Sequence, residues 1–265
     1  MTFDAPLVLR QFESGIATVV LHNPRSGNAL TRSIYESLAA TWAEIEGDPA
    51  VRVIVFGAAG DRHFCVGGDM SALEEQGLRR VGEDWQLTWR QAGVTKPVVV
   101  AVNGTVAGGG LGFVTDADVV VAADHARFLD THVAVGQICG YGALRLVKII
   151  GESEAKRIAI AGGSIDARRA YELGLVNELQ TGAEATMVRA QEIARQILNA
   201  SPTAMQRTLE LLRAIAISND DSVALRAADR AVEDHMTHPD ATEGPRAWKE
   251  NREPAWQLGE VVALS

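Results

Sequence analysis

The sequence predicts an α/β fold, and three observations carry that expectation. Short β-branched runs alternate with helical patterns over residues 50–180, as in a sheet covered by helices. The runs at 98–102 and 119–122 are continuously apolar and that at 51–56 is broken only by Arg52, as in strands buried on both faces. From about residue 183 the apolar residues recur at three-to-four spacing almost to the end, so a helical region follows.

The elements follow in order. Residues 7–12 and 16–21 read as a hairpin turning at Glu13-Ser14-Gly15. Thr31 can cap a helix whose Ile34, Leu38, Trp42 and Ile45 share a face. The strand at 51–56 is closed by Gly57 and Gly60, and that at 98–102 begins after Lys96-Pro97. After the strand at 119–122, helices are expected near 143–150, 153–161 and 166–173, then a strand at 176–179. "ATMVRAQEIARQIL", "PTAMQRTLELLRAIAI" and "DSVALRAADRAVEDHM" are amphipathic helices. Residues 1–182 are therefore expected to form the core, and residues 183–265 a helical C-terminal region.

Composition bounds the function. The 265 residues are 47% hydrophobic, enough for a substantial core. A net charge of −9 argues against non-specific nucleic-acid binding. Cys65 and Cys139 give no disulfide framework and fit a reducing compartment. No apolar run approaches a membrane span, and Asp4 and Glu13 are unlike an acid-poor transit peptide. A soluble, cytoplasmic protein with neither a membrane nor a nucleic-acid partner is expected.

The stretch "VNGTVAGGGLGFVTDADVVVAAD", residues 102–124, places three glycines between two apolar runs. Phe113 stands where a dinucleotide fingerprint needs its third glycine, and no Gly-Lys-Ser/Thr follows, which disfavours phosphate cradling. Two readings stay open: close helix–strand packing, and an oxyanion hole of free N–H groups at a strand-to-helix turn. A second cluster, "HFCVGGDM" at 63–70, follows another strand and favours the hole, because two such loops could converge on one carbonyl oxygen.

"HFCVGGDM", "KPVVVAVNGTVAGGGLGF", "GGSIDARRAYELGLVNEL" and "EGPRAWKENREP" together resemble the crotonase, or enoyl-CoA hydratase/isomerase, superfamily. The resemblance starts at "VVLHNPRSGNAL" and covers nearly the whole chain. It implies a spiral of ββα units, a C-terminal helical region used in trimerisation, a homotrimer or hexamer, and an acyl-CoA substrate with no further cofactor. Its two oxyanion N–H groups map onto Val66 and Gly109. Cys65, Gly67, Gly68, Asp69, Met70 and Gly108 would line the substrate beside them, with the 64–70 loop on the adenine side of the CoA.

The chain departs from that pattern where hydratases carry two glutamates. The first position is Gly112, and the second, within "FLDTHVAVG", is His132. Hydration needs both a base and an acid. His132 could supply one of these, oriented by Asp130 two residues earlier, or it could fill the vacated space without catalysing. Cys139 and Tyr141 are further pocket candidates, with packing as their alternative. Arg25, Lys249 and Arg252 are candidates for the CoA phosphates, with surface solvation as theirs. Asp118 matches a structural aspartate of the family. His235 and His238 lack a third ligand and read as a solvated helix end, so no metal site is expected. The expected function is an acyl-CoA enzyme with isomerase- or hydrolase-like proton shuttling rather than ordinary hydration. The alternative is a non-catalytic acyl-CoA-binding or assembly subunit. A pocket-facing His132 paired with Asp130 would favour the enzyme.

Overall fold

The computed structural model describes residues 7–70, 86–217 and 221–257, with the backbone alone at 141, 143, 217 and 221–228. Strands β1 (Val8–Glu13) and β2 (Ile16–Leu21) pair antiparallel. Ser14 and Gly15 turn between them at φ 51° and 85°, the left-handed pair that suits a two-residue hairpin loop. Helix α1 (Arg32–Gly47) starts at Thr31, whose hydroxyl accepts from the Ile34 N–H, and it buries Ile34, Leu38, Trp42 and Ile45 as expected.

Three strand pairs follow: β3 (Val53–Ala58) with β4 (His63–Cys65), β5 (Val98–Val102) with β6 (Thr105–Ala107), and β7 (Val119–Ala123) with β8 (Arg127–Leu129). The first member of each pair joins a six-stranded sheet ordered β1-β2-β3-β5-β7-β10, where β10 is Glu178–Gln180. The second joins a four-stranded sheet ordered β4-β6-β8-β9, where β9 is Ser164–Asp166. Both sheets are mixed, with β1 and β9 as their antiparallel edges. Helices α2 (Leu111–Thr115), α3 (Tyr141–Ile150), α4 (Glu152–Ala161) and α5 (Ala167–Glu172) complete this part. Strand β3 runs through Gly57 instead of stopping there, and β10 starts two residues later than the apolar run suggests.

An aromatic cluster ties the elements that position the site. Phe56 of β3 packs on Phe113 of α2 with centroids 4.6 Å apart, and Phe64 of β4 meets both at 5.9 and 6.2 Å. Trp42 and Trp89 close the cluster, and all five side chains are fully buried. Each such pair adds roughly 0.5–1.5 kcal/mol beyond burial.

The chain divides into two compact units, Met1–Val94 with Val98–Ala194 and Thr95–Pro97 with Arg195–Ser265. The change of unit at Ala194/Arg195 falls later in the chain than the start of the helical region at residue 183. Helix α6 (Gly182–Leu198) belongs mostly to the first unit, where Arg189 binds Glu178 of β10 and Gln191 binds Thr18 of β2. The second unit holds α7 (Pro202–Ile217), α8 (Asp221–Met236) and α9 (Asp240–Glu250).

Candidate active site

Three parallel strands of the small sheet end side by side. Their register pairs Cys65 with Val106 and Ala107 with Leu129. The segments beginning at Val66, Gly108 and Asp130 therefore leave the sheet together. The carboxyl ends of parallel strands are where such sheets bind ligands.

Glycine is required where two of these segments touch. Gly67 has φ +91°, and a Cβ there would lie 3.1 Å from the Ala107 carbonyl and 3.2 Å from the Gly109 nitrogen. A Cβ on Gly110 would lie 2.5 Å from the Cys65 carbonyl oxygen, which no side chain tolerates. Close backbone packing, one of the two open readings of the glycine run, is thus present between these segments. Gly109 is the middle residue of the single turn Gly108–Gly110 that leads into α2.

The Val66 N–H does not fit the donor role assigned to it. It donates to the Gly27 carbonyl at 3.1 Å, so it is already occupied. Leu30 bridges this loop in parallel fashion: its N–H donates to Gly67 O at 2.7 Å, and its carbonyl accepts from Asp69 N at 3.2 Å. In the trans peptide joining Gly67 to Gly68, the Gly68 N–H points opposite to the Gly67 carbonyl, away from Leu30. Gly68, two residues beyond Val66, presents the outward N–H. Which residue of the loop faces outward depends on its register against Leu30, and the sequence carries no mark of that register.

Asp130 and His132 meet. His132 sits in right-handed helical backbone, not on an extended segment. Its backbone N–H and its Nδ1 both lie 2.8 Å from Asp130 Oδ1. Asp130 is buried, whereas the His132 side chain keeps 28% exposure. The imidazole stands against the glycine turn, since a Cβ on Gly108 would be 3.9 Å from His132 Cε1 and 3.1 Å from Thr131 Oγ1. The Asp130 hydrogen bond raises the His132 pKa above its ordinary value; burial opposes this and the carboxylate charge adds to it. Burial alone would raise Asp130, but hydrogen bonds from the His132 ring, the Cys139 thiol and the His132 backbone together hold it below the usual range. With Nδ1 committed to Asp130, Nε2 is the nitrogen left for a substrate.

The remaining candidates separate. Cys139 is half-buried and approaches Asp130 and His132. Cys65 is buried, and burial pushes its thiol up to about 12. Met70 is exposed. The side chain of Tyr141 lies outside the described residues; its backbone opens α3. Among the described residues, a Cβ on Gly112 would meet only Thr88 Cγ2 at 3.6 Å and Leu87 Cδ2 at 3.8 Å, and no acid or base of theirs stands against it. Asp118 accepts from the Val98 N–H at 2.8 Å, a structural role.

Arg25 lines a cavity of about 380 Å³ with Pro24, Gly27, Asp61, Arg62, His63 and Val66. Arg62 and His63 are additions that only the fold reveals. Arg252 is not free for a phosphate: it binds Glu243 at 2.7 Å and Glu250 at 2.6 Å. Lys249 is exposed on α9 of the second unit. His235 and His238 are not a solvated helix end. Their rings stack at 5.8 Å, and His238 Nδ1 accepts from the Asp240 N–H at 3.2 Å while Nε2 lies 3.3 Å from the Thr203 hydroxyl.

Comparisons with known proteins identify the family and the fold. The family model for enoyl-CoA hydratase/isomerase matches residues 11–259. A solved enoyl-CoA hydratase/isomerase from Mycobacterium paratuberculosis superposes with a TM-score of 0.87 at 32% identity, covering 96% of this chain and 99% of its own. A short-chain-enoyl-CoA hydratase of Clostridium acetobutylicum is 28% identical over 92% of this chain and 95% of its own length. A carnitinyl-CoA dehydratase of Proteus mirabilis is 28% identical, with 91% and 95% covered.

Proposed function

The chain belongs to the enoyl-CoA hydratase/isomerase family, is an enzyme of that family and has its α/β crotonase fold with two mixed sheets and C-terminal helices; from that premise we propose that it moves a proton on an acyl-CoA thioester with a single base, His132. The observation that carries the reading is the Asp130–His132 pair beside the glycine turn, with no side chain at Gly112. Hydration by two carboxylates has no residues to perform it at these positions.

The chemistry follows from the groups present. The thioester oxygen accepts from the N–H groups of Gly68 and Gly109, helped by the helix start beneath Gly109. Unprotonated Nε2 of His132 removes a proton from the α-carbon of a β,γ-unsaturated thioester. The electron pair delocalises onto the thioester oxygen. The imidazolium, stabilised by Asp130, returns the proton at the γ-carbon and leaves an α,β-unsaturated thioester. One base suffices because the same proton is taken and given back. The cavity beside Val66 suits the CoA phosphates, with Arg25 and Arg62 as cationic partners against an acidic protein.

The enzyme acts as a homotrimer or hexamer in this reading. The second unit exposes Leu212, Val232, Met236 and Trp248 and carries an apolar cavity of about 400 Å³ lined by Pro97, Ile197, Met205, Leu209 and Leu212. No helix among the described residues is long and apolar enough to cross a membrane, which accords with a cytoplasmic location. A monomer by light scattering at micromolar concentration would count against the assembly.

The test is a panel of β,γ-unsaturated, α,β-unsaturated and β-keto acyl-CoA thioesters incubated in D2O and read by mass spectrometry. Isomerisation with His132-dependent exchange is the expected result. Hydrolysis of the β-keto members would make His132 a base toward water. Binding without any turnover across the panel would overturn the reading.

A further inference from the structure

We propose that Asp130, His132 and Cys139 form a three-ligand site for a zinc-class transition-metal cation, at the edge of the acyl-CoA site. The three residues offer a carboxylate oxygen, an imidazole nitrogen and a thiol sulfur whose ligand atoms all lie within 4.8 Å of one another. Tetrahedral zinc bonds of about 2.0–2.3 Å put ligand atoms about 3.3–3.6 Å apart, so small side-chain rotations close the set. Asp130 Oδ1 and His132 Nδ1 are already 2.8 Å apart.

A second observation points to a ligand. Asp130 Oδ2 is buried and has no hydrogen-bond partner among the described residues. A buried carboxylate oxygen without a partner is costly, and a cation is the partner that would satisfy it. The backbone N–H of His132 fixes the other oxygen at 2.8 Å and so orients the carboxylate. Sulfur and nitrogen donors select zinc and its neighbours over magnesium and calcium, which prefer oxygen. Three protein ligands leave a fourth position for water or a thioester oxygen.

The metal and the base compete. Cation binding replaces the proton on Nδ1, leaves imidazole less basic at Nε2, and draws the carboxylate away from its role beside the ring. On the reading of His132 as the base, zinc is therefore a reversible inhibitor of turnover. That consequence rests on the proposed function; the binding site does not.

The experiment uses the full chain, stripped with a chelator and titrated with Co2+ as the spectroscopic probe. A sulfur-to-cobalt charge-transfer band, with the intense visible bands of a tetrahedral ion, should saturate at one equivalent and be displaced by Zn2+. Cys139→Ser should abolish the charge-transfer band. Cys65 cannot supply it, being buried with its thiol pushed up to about 12. His132→Gln should weaken Co2+ binding at least ~10-fold. Both variants are checked by circular dichroism and thermal melting, so loss of the fold is not read as loss of the site. A wild-type protein that gives no thiolate band, or a band that survives Cys139→Ser, overturns the proposal. Zn2+ that binds with the expected ligand dependence but leaves turnover intact supports the site and overturns His132 as the base.

Discussion

Replacing Asp130 by Asn separates a catalytic pair from a histidine that merely fills space. The carboxylate is fully buried and accepts from both the His132 ring and the His132 backbone at 2.8 Å. An amide of the same size keeps the volume but loses the charge. A charge-assisted hydrogen bond contributes about 1.5–3 kcal/mol. If that interaction serves the imidazolium in the transition state, its loss slows turnover about 10- to 150-fold, at 1.36 kcal/mol per decade. His132→Ala removes the base itself and should cost about 10²–10⁴-fold in kcat. The pH dependence gives an independent sign. The Asp130 hydrogen bond raises the His132 pKa, against burial. The base works unprotonated, so the wild-type activity rises with pH through a value above the ordinary histidine range. In Asp130→Asn that limb should move to lower pH. The same raised pKa stabilises the fold at pH values below the unfolded histidine value, and this contribution is lost as pH rises through the folded value. The assay is kcat/KM against pH on whichever thioester the panel shows to be turned over. An Asp130→Asn enzyme within twofold of wild type, with an unmoved acid limb, would refute the pairing as catalytic.

Three further outcomes are expected. Gly110→Ala brings a Cβ to 2.5 Å from the Cys65 carbonyl, and the backbone must shift, so urea unfolding should show a loss of at least about 1–3 kcal/mol; an unchanged midpoint would mean that the two segments are not in contact. Crotonyl-CoA hydration should be very slow, and Gly112→Glu should fold, since among the described residues its Cβ meets nothing closer than 3.6 Å, yet should not restore hydration while His132 holds the other position; a normal hydratase rate in either protein would refute the account of the missing carboxylates. Glu243 is held well below the usual carboxylate range by its hydrogen bond from Arg252, with the Ala255 N–H and Arg246 adding, so it stabilises the second unit above the unfolded glutamate value and less as pH falls through the folded one; acid unfolding followed by circular dichroism should flatten in Glu243→Gln.

The large sheet was legible and the small one was not, for a physical reason. Strands β2, β3, β5 and β7 are five or six residues long and rich in valine, so their apolar runs stand out. Strands β4, β6, β8 and β9 have three residues each, too few for any alternation to show. Only the resemblance to the ββα spiral anticipated them. The same limit explains Val66. Its place in the glycine loop was readable, but its N–H is taken by Gly27, a partner nearly 40 positions earlier, which no local pattern announces. The meeting of Asp130 with His132 was legible as spacing, yet it is achieved by a side-chain-to-backbone turn and not by a shared strand face.

The two halves of the site differ in what they demand of the sequence. The proposed oxyanion hole is made of backbone, and its geometry depends on Gly67 and Gly110 staying glycine, because a single carbon at either would press on the opposing segment. The acid–base groups are side chains projecting from finished backbone, so they can change without disturbing the hole. Gly112 and His132 stand where the family resemblance places the hydratase glutamates, and the segments holding them still leave adjacent strands in register. On the proposed reading, a fold of this construction would keep its grip on the thioester oxygen while the proton chemistry around it changes. Reaction type therefore has to be argued from Asp130, His132 and Gly112, not from the glycine clusters that reveal the family.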